Sequence, residues 1–394
     1  MPNEPTIPTI PSQRALPRTR PEYPVQTRKE RPSSMDPTTK MRSNPVMHIG
    51  RYRVVKILGK GGMGAVYLAE DPAAGDRLVA VKVIKGNPDA KSLARFLLEG
   101  RVTANLEHPN LIPVYDVGSD PKHGHYYVMR VLPGSDLTTH LKRDEPSQSN
   151  ALGIFLKVLD GMAYAHEQGI IHRDLKPDNI FIGPHGQVAV ADWGIAKVLS
   201  ARDDPSGEEL SAIDIEEALG GSAMTMEGAI MGTPVYMSPE QARGEISVLD
   251  NRSDIYSLGA ILYYILTGLK PVTANGIRPL LKKIREGKVM PPRARLRYEK
   301  RDPSLVPVEL EAITMKAMAR RPEDRYQSAE EMKADIEAYF QNRPVSAHKD
   351  SFTQAVKKYV QRRPAKAIGI AGGALFALAV AAGTGGAEGP GGTA

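Results

Sequence analysis

Hydrophobic positions fall into two regimes along this 394-residue chain. Up to residue 131 they come in short, β-branched runs, and residues 52–58, 65–68, 78–84, 111–117 and 126–131 each read as a strand. One stretch interrupts them: across 92–106, Leu93, Phe96, Leu97 and Val102 recur at helical spacing. Leu132-Pro133-Gly134-Ser135 then breaks the pattern, and helical spacing dominates beyond it, over 150–168, 253–267, 277–286, 308–319 and 328–340. Short apolar pieces at 170–171, 180–182 and 188–191 read as strands set among those helices. The pattern predicts an α+β fold, with a small β-rich region over 50–131 and a larger helical region over 134–342.

The flanks follow neither regime. Residues 1–49 hold ten prolines and no periodicity, so they cannot bury enough apolar surface to offset chain entropy. They read as a disordered basic tail, either an unstructured leader or a docking and autophosphorylation segment. Residues 203–217 form an acidic insertion, and 343–366 a basic linker. Residues 367–387 carry no charge over a length that suffices to cross a bilayer, and 388–394 form a short tail. Six glycines in those 21 positions suit a flexible tail as well, but the basic residues just before them fit a single membrane span with the globular part cytoplasmic. Gly369 and Gly373 make one GxxxG, which points to helix pairing and a homodimer.

Charge changes the picture in one respect. The formal net charge is +7, yet residues 51–342 carry 37 Lys and Arg against 39 Asp and Glu. The basic balance belongs to the flanks, and a nucleic-acid partner for the globular part loses its support. The absence of cysteine excludes disulfides and thiol chemistry, and because residues 1–50 lack an apolar run no signal peptide is expected there.

The candidate chemistry centres on His172-Arg173-Asp174-Leu175-Lys176-Pro177-Asp178-Asn179, a polar loop between two apolar strand pieces. Asp174 can take a proton from a hydroxyl, Lys176 can neutralise developing negative charge, and the Asn179 side-chain oxygen suits a hard metal ion. Upstream, Gly59, Gly61, Gly62 and Gly64 lie between two strands, where bare backbone can approach phosphates. Lys82 sits among Val79, Ala80, Val81, Val83 and Ile84, either facing solvent by alternation or buried with a counter-charge, for which Glu99 is placed. Asp192, at a strand end before Trp193-Gly194, reads as a second metal ligand.

In this order these residues resemble the bacterial, eukaryotic-like (Hanks-type) serine/threonine protein kinases, through the Gly59-x-Gly61-x-x-Gly64-x-Val66 loop, Val79-Ala80-Val81-Lys82, Glu99, the 172–179 loop, Asp192-Trp193-Gly194 and Ser238-Pro239-Glu240. The resemblance implies a two-lobed kinase fold and transfer of the ATP γ-phosphate to protein Ser/Thr hydroxyls, with ATP and Mg²⁺ as cofactors. It implies that Leu58, Gly59, Gly61, Gly62, Gly64, Val66, Ala80, Lys82, Met129 and Val131 surround the nucleotide and that Lys82 pairs with Glu99. Asp174 would be the base, with Lys176 on the transferring phosphoryl group and Asn179 and Asp192 on Mg²⁺. Arg173 next to His172 implies control by activation-segment phosphorylation, with Thr225 as acceptor and Thr233 supporting the loop. Glu240 is expected to pair with Arg325, and Asp254 to brace the loop. Trp193 in place of Phe, Arg130 in the hinge and the acidic insertion depart from the family pattern. Two other readings, a pseudokinase scaffold and a small-molecule phosphotransferase, are weakened by the intact Lys82, Glu99, Asp174, Asn179 and Asp192, and by Lys176 with the 233–240 segment.

Overall fold

Tyr52, Ala69, Val79, Val81 and Val128 are buried together because alternate positions of neighbouring strands share one face. The strands that carry them are β1 (His48–Ile49), β2 (Tyr52–Lys60), β3 (Gly64–Asp71), β4 (Arg77–Ile84), β5 (Val114–Asp120) and β6 (Gly124–Arg130). They form an antiparallel sheet in the order β1-β2-β3-β4-β6-β5. The computed structural model describes residues 47–60, 64–84, 103–193, 234–245 and 248–362, with positions 88, 93, 96–97, 100–101 and 197–198. The chain divides into two units, Met1–Pro45, which lies outside the described residues, and Val46–Ala394.

Polar contacts lock the sheet edges. The Tyr52 hydroxyl donates to Asp116 Oδ2 (2.6 Å), and Arg51 spans Asp71 (3.2 Å) and Asp116 (3.3 Å). Two register shifts, at Val54/Lys56 and Ile57/Gly59, bend β2 toward its glycine end. Helical residues at 93, 96–97, 100–101 and 103–104 lie beside the sheet, where Phe96 packs on Tyr127 with ring centroids 5.1 Å apart.

The larger lobe is helical. Its described elements are β7 (Ser135–Asp136), α1 (Leu137–Arg143), α2 (Gln148–Glu167), β8 (Ile170–Ile171), β9 (Ile180–Ile182), β10 (Val188–Val190), β11 (Lys197–Val198), α3 (Pro239–Arg243), α4 (Asn251–Thr267), α5 (Ile277–Arg285), α6 (Pro292–Tyr298), α7 (Val308–Ala317), α8 (Ala329–Phe340) and α9 (Phe352–Arg362). Side-chain caps start several of them: Asp136 accepts from Thr139 N–H, and Ser147 from Asn150 N–H. Helix α4 is apolar on nearly every side because α2, α7 and the loop after β8 enclose it. Gly259 makes one of these contacts possible, since a Cβ there would come within 2.8 Å of Met318 and Ala317. Fully buried residues such as Phe155, Ile261 and Leu310 each contribute about 1.5–3 kcal/mol of apolar burial.

Several boundaries differ from the sequence reading. The strand expected over 111–117 starts at Val114, because Leu111 pairs instead with Val190 of β10 and Ile112 N–H donates to Val190 O (3.1 Å). His48–Ile49, expected within the disordered tail, form β1, where Ile49 is fully buried. Residues expected to form a basic linker pack on the lobe instead: Val345 joins the core, Ser346 N–H donates to Asp335 Oδ1 (2.6 Å), and α9 follows. Helices α1, α3 and α6 are short enough to escape a periodicity search. Among the described residues no helix is long and apolar enough to cross a membrane, and the expected span at 367–387 lies outside them, as do residues 1–46, 388–394 and the acidic insertion.

Candidate active site

The catalytic-loop candidates sit where β8 ends, and their conformation is fixed from beneath. Asp254, in the first turn of α4, is completely buried and accepts from His172 N–H (2.8 Å), Arg173 N–H (2.9 Å) and His166 Nε2 (2.9 Å). Burial opposes its charge, but the His166 bond and the other donors outweigh it, and its carboxyl lies below the ordinary carboxylate range. Arg173 is held at φ 69°, a left-handed conformation that costs a non-glycine residue about 1–3 kcal/mol. Its carbonyl accepts from Gln241 Nε2 (2.7 Å), so the strained residue is gripped at its N–H by α4 and at its C=O by α3. Burial pushes the Arg173 guanidinium down to about 10, with Asp254 opposing the shift.

His172 is buried and joins the loop to the end of β10. Its Nδ1 accepts from Asp174 N–H (3.2 Å), which leaves Nε2–H to donate to Ala191 O (3.0 Å), and its ring packs on Trp193 with centroids 4.6 Å apart. Trp193, itself buried, is therefore held by packing on the His172 ring. Asp192 itself is at φ 65°, a second left-handed residue within the site.

Above this base the polar groups converge. Lys176 Nζ lies 2.5 Å from Asp174 Oδ2, and Asn179 Nδ2 donates to Asp174 O (2.8 Å) and Oδ2 (3.3 Å). Ala191 N–H donates to Asn179 O (2.9 Å), which sets β10 and Asp192 beside the loop. Lys82 Nζ reaches Asp192 Oδ1 at 2.9 Å and lies over the Tyr127 ring at 5.5 Å. The open face of Asp192 is substantial, with 47% of its side chain exposed, although the cleft walls crowd it. That crowding opposes ionisation, but attraction to Lys82 and its hydrogen bond prevail and hold the carboxyl below the ordinary range.

The nucleotide-side candidates line the strands facing this point. Val66 stands opposite Lys82 across β3 and β4, Ala80 opposite Met129 across β4 and β6, and Gly59 opposite Val66. Leu58 is half exposed at the end of β2, and Val131 follows β6 directly. Beneath them Ile112, Ala189 and Ala191 pack with Met129, Leu132 and Phe181 as an apolar floor. Gly64 admits no side chain, because a Cβ would collide with the Val83 carbonyl. Lys82 thus faces the cleft and not bulk solvent.

Gly61, Gly62, Glu99, Thr225 and Thr233 lie outside the described residues. Glu240 and Arg325 meet as expected in a buried two-point pair, at 2.7 and 2.9 Å, with Ser253 Oγ donating to the same carboxylate (2.8 Å). Gln241 escaped the sequence reading. The capping-box spacing Ser238-Pro239-Glu240-Gln241 signals a helix start there, but nothing local signals the bond to Arg173 O, 68 positions away.

Comparison with known proteins agrees with this architecture. The protein kinase domain family model matches residues 52–336. The chain is 35% identical over 309 residues to the serine/threonine-protein kinase PknD of Protochlamydia amoebophila, covering 74% of this chain and 30% of that protein. It is 36% identical over 295 residues to the serine/threonine-protein kinase pkn3 of Myxococcus xanthus (73% and 50%), and 38% identical over 314 residues to PknD of Chlamydia pneumoniae (75% and 31%). The chain thus spans no more than half the length of these relatives. With its two-lobed fold, it belongs to the protein kinase family, in the bacterial Hanks-type serine/threonine branch.

Proposed function

We propose that the chain is an ATP-dependent serine/threonine protein kinase that transfers the γ-phosphate to Ser/Thr hydroxyls of protein substrates and of itself. The observation that carries this reading is the convergence of Lys82, Asp174, Lys176, Asn179 and Asp192 on one cleft, from positions 110 residues apart. Asp174 accepts the proton of the incoming hydroxyl, and the Asn179 bonds keep its carboxylate in place. Lys176 neutralises charge that builds on the transferring phosphoryl group, and Lys82 holds the phosphates of the nucleotide bound under β2 and β3.

The Asn179 amide and the Asp192 carboxylate offer a small oxygen set, which fits Mg²⁺, an ion that takes few protein ligands and fills its shell with phosphate oxygens and water. Bound there, Mg²⁺ neutralises phosphate charge during transfer. The adenine face is formed by Leu58, Val66, Ala80, Met129 and Val131, with backbone groups of the hinge reading its edge. Arg130 is compatible with this arrangement, since its N–H is engaged by Pro113 O (3.1 Å).

Thr225 as the phosphate acceptor beside Arg173, Thr233 as a support of the loop, and Glu99 as the partner of Lys82 complete the proposal. We further propose that residues 367–387 anchor the protein in the cell membrane with the kinase domain cytoplasmic, supported by the uncharged run and the basic residues before it. The test of activity is a kinase assay of Lys82→Ala and Asp174→Asn, with mass-spectrometric mapping of phosphosites. Autophosphorylation lost in both variants and mapped to Thr225 in the parent supports the reading; unchanged phosphorylation in both overturns it. Membrane fractionation with and without residues 367–394 tests the anchor, and soluble full-length protein refutes it.

A further inference from the structure

Helix α9 presents an apolar stripe away from the domain. Phe352 is 84% exposed, Val356 45%, Val360 43% and Tyr359 37%, and the spacing of four, three and one places them on one side of the helix. The opposite side is tied down by Lys358, whose Nζ pairs with Asp350 (2.6 Å) and Glu309 of α7 (3.0 Å). Burial opposes the Lys358 charge, but the hydrogen bonds it donates to the Asp350 and Glu309 carboxylates outweigh it and raise its affinity for the proton. The helix is therefore docked by a buried ion pair with its large apolar residues pointing outward. Four such residues within nine positions of a short helix are a patch, not scattered exposure.

The flanks of the stripe are basic. Lys357 and Arg362 are exposed on the helix, Arg363 and Lys366 follow in sequence, and 343–366 hold seven Lys and Arg against one acid. Five residues beyond Arg362 the sequence enters the uncharged run 367–387. An outward apolar stripe, a basic margin and direct continuity with an apolar segment suit an anionic lipid surface, where aromatic and aliphatic side chains enter the acyl boundary and lysines meet the headgroups.

We propose that α9 is an interfacial helix that lies on an anionic bilayer surface through Phe352, Val356, Tyr359 and Val360, and so fixes the face the kinase domain turns to the membrane. This goes beyond the anchored reading, because a span and a surface helix are separate contacts that succeed or fail separately. Each basic residue near such a surface strengthens the contact by roughly fivefold.

The test uses the full chain carrying Phe352→Trp, mixed with phosphatidylcholine vesicles containing phosphatidylglycerol. The sole native tryptophan, Trp193, is buried, so the added indole reports on α9. The expected result is a blue shift and quenching by acyl-brominated lipid, both weakened by Lys357→Glu with Arg362→Glu and by salt above about 0.15 M. Val356→Asp with Val360→Asp should abolish the shift while kinase activity is retained. Protein that floats with the vesicles while the indole stays solvent-like overturns the proposal and leaves the anchor standing. A blue shift without vesicles, accompanied by a doubled mass in light scattering, also overturns it, because a second copy then covers the stripe. Protein that does not associate with the vesicles at all removes both contacts.

Discussion

Asp254 Oδ1 accepts from Arg173 N–H at 2.9 Å, joining a buried helix carboxylate to a strained loop residue 81 positions earlier. The Oδ2 atom takes His172 N–H and His166, so one side chain satisfies three donors. Asp254→Ala leaves two backbone N–H groups buried and unpaired, at about 1–3 kcal/mol each, and releases Arg173 from its left-handed conformation. The expected outcome is a lowered thermal midpoint together with a fall in kcat that exceeds any rise in the KM for ATP.

The same carboxyl carries a pH dependence with a definite sign. Its pKa in the fold lies below the ordinary 3.8, so its contribution to stability is complete above that value and is lost as pH falls through the depressed one. Acid titration of unfolding should show the native protein losing stability below pH 3.8, with a shallower dependence in Asp254→Asn.

Arg325→Ala strands Glu240 in the core. Removing one partner of a buried pair costs about 3–5 kcal/mol, and Lys at this position cannot restore the two parallel bonds. Denaturant midpoints of Arg325→Ala, Arg325→Lys and the Glu240→Ala, Arg325→Ala double variant should show the double variant losing less than the sum of its parts.

Gly64→Ala forces a Cβ into the Val83 carbonyl, so β3 and β4 must separate beside Lys82. Overpacking of this kind costs about 1–3 kcal/mol. A raised KM for ATP with little change in the stability of the helical lobe is expected, measured by nucleotide titration and domain-resolved hydrogen exchange.

Much of the site was legible because its groups are local in sequence. The 172–179 loop supplies Asp174, Lys176 and Asn179 within six positions, and flanking apolar strands announce where it is pinned. Lys82 was legible as an anomaly, a cation in an apolar strand whose surroundings demand a counter-charge. Gln241 was not, since its hydrogen bond to Arg173 O depends on how α3 packs under the loop and leaves no trace in either segment. The sequence of helix α9 reads as a basic linker because its charges dominate composition, whereas its docking rests on Lys358 meeting Glu309 across 49 positions. The start of β5 departs from the apolar pattern for a related reason: Leu111 has strand character but pairs with Val190 of β10.

We propose that Asp174 and Lys82 serve one phosphoryl-transfer reaction, and rates of labelled γ-phosphate transfer from ATP to casein and to the protein itself report on both residues. Asp174→Asn should lower kcat by about 10²–10⁴-fold while nucleotide binding persists, and Lys82→Ala should abolish detectable transfer. Transfer by both variants at the parental rate would contradict the account.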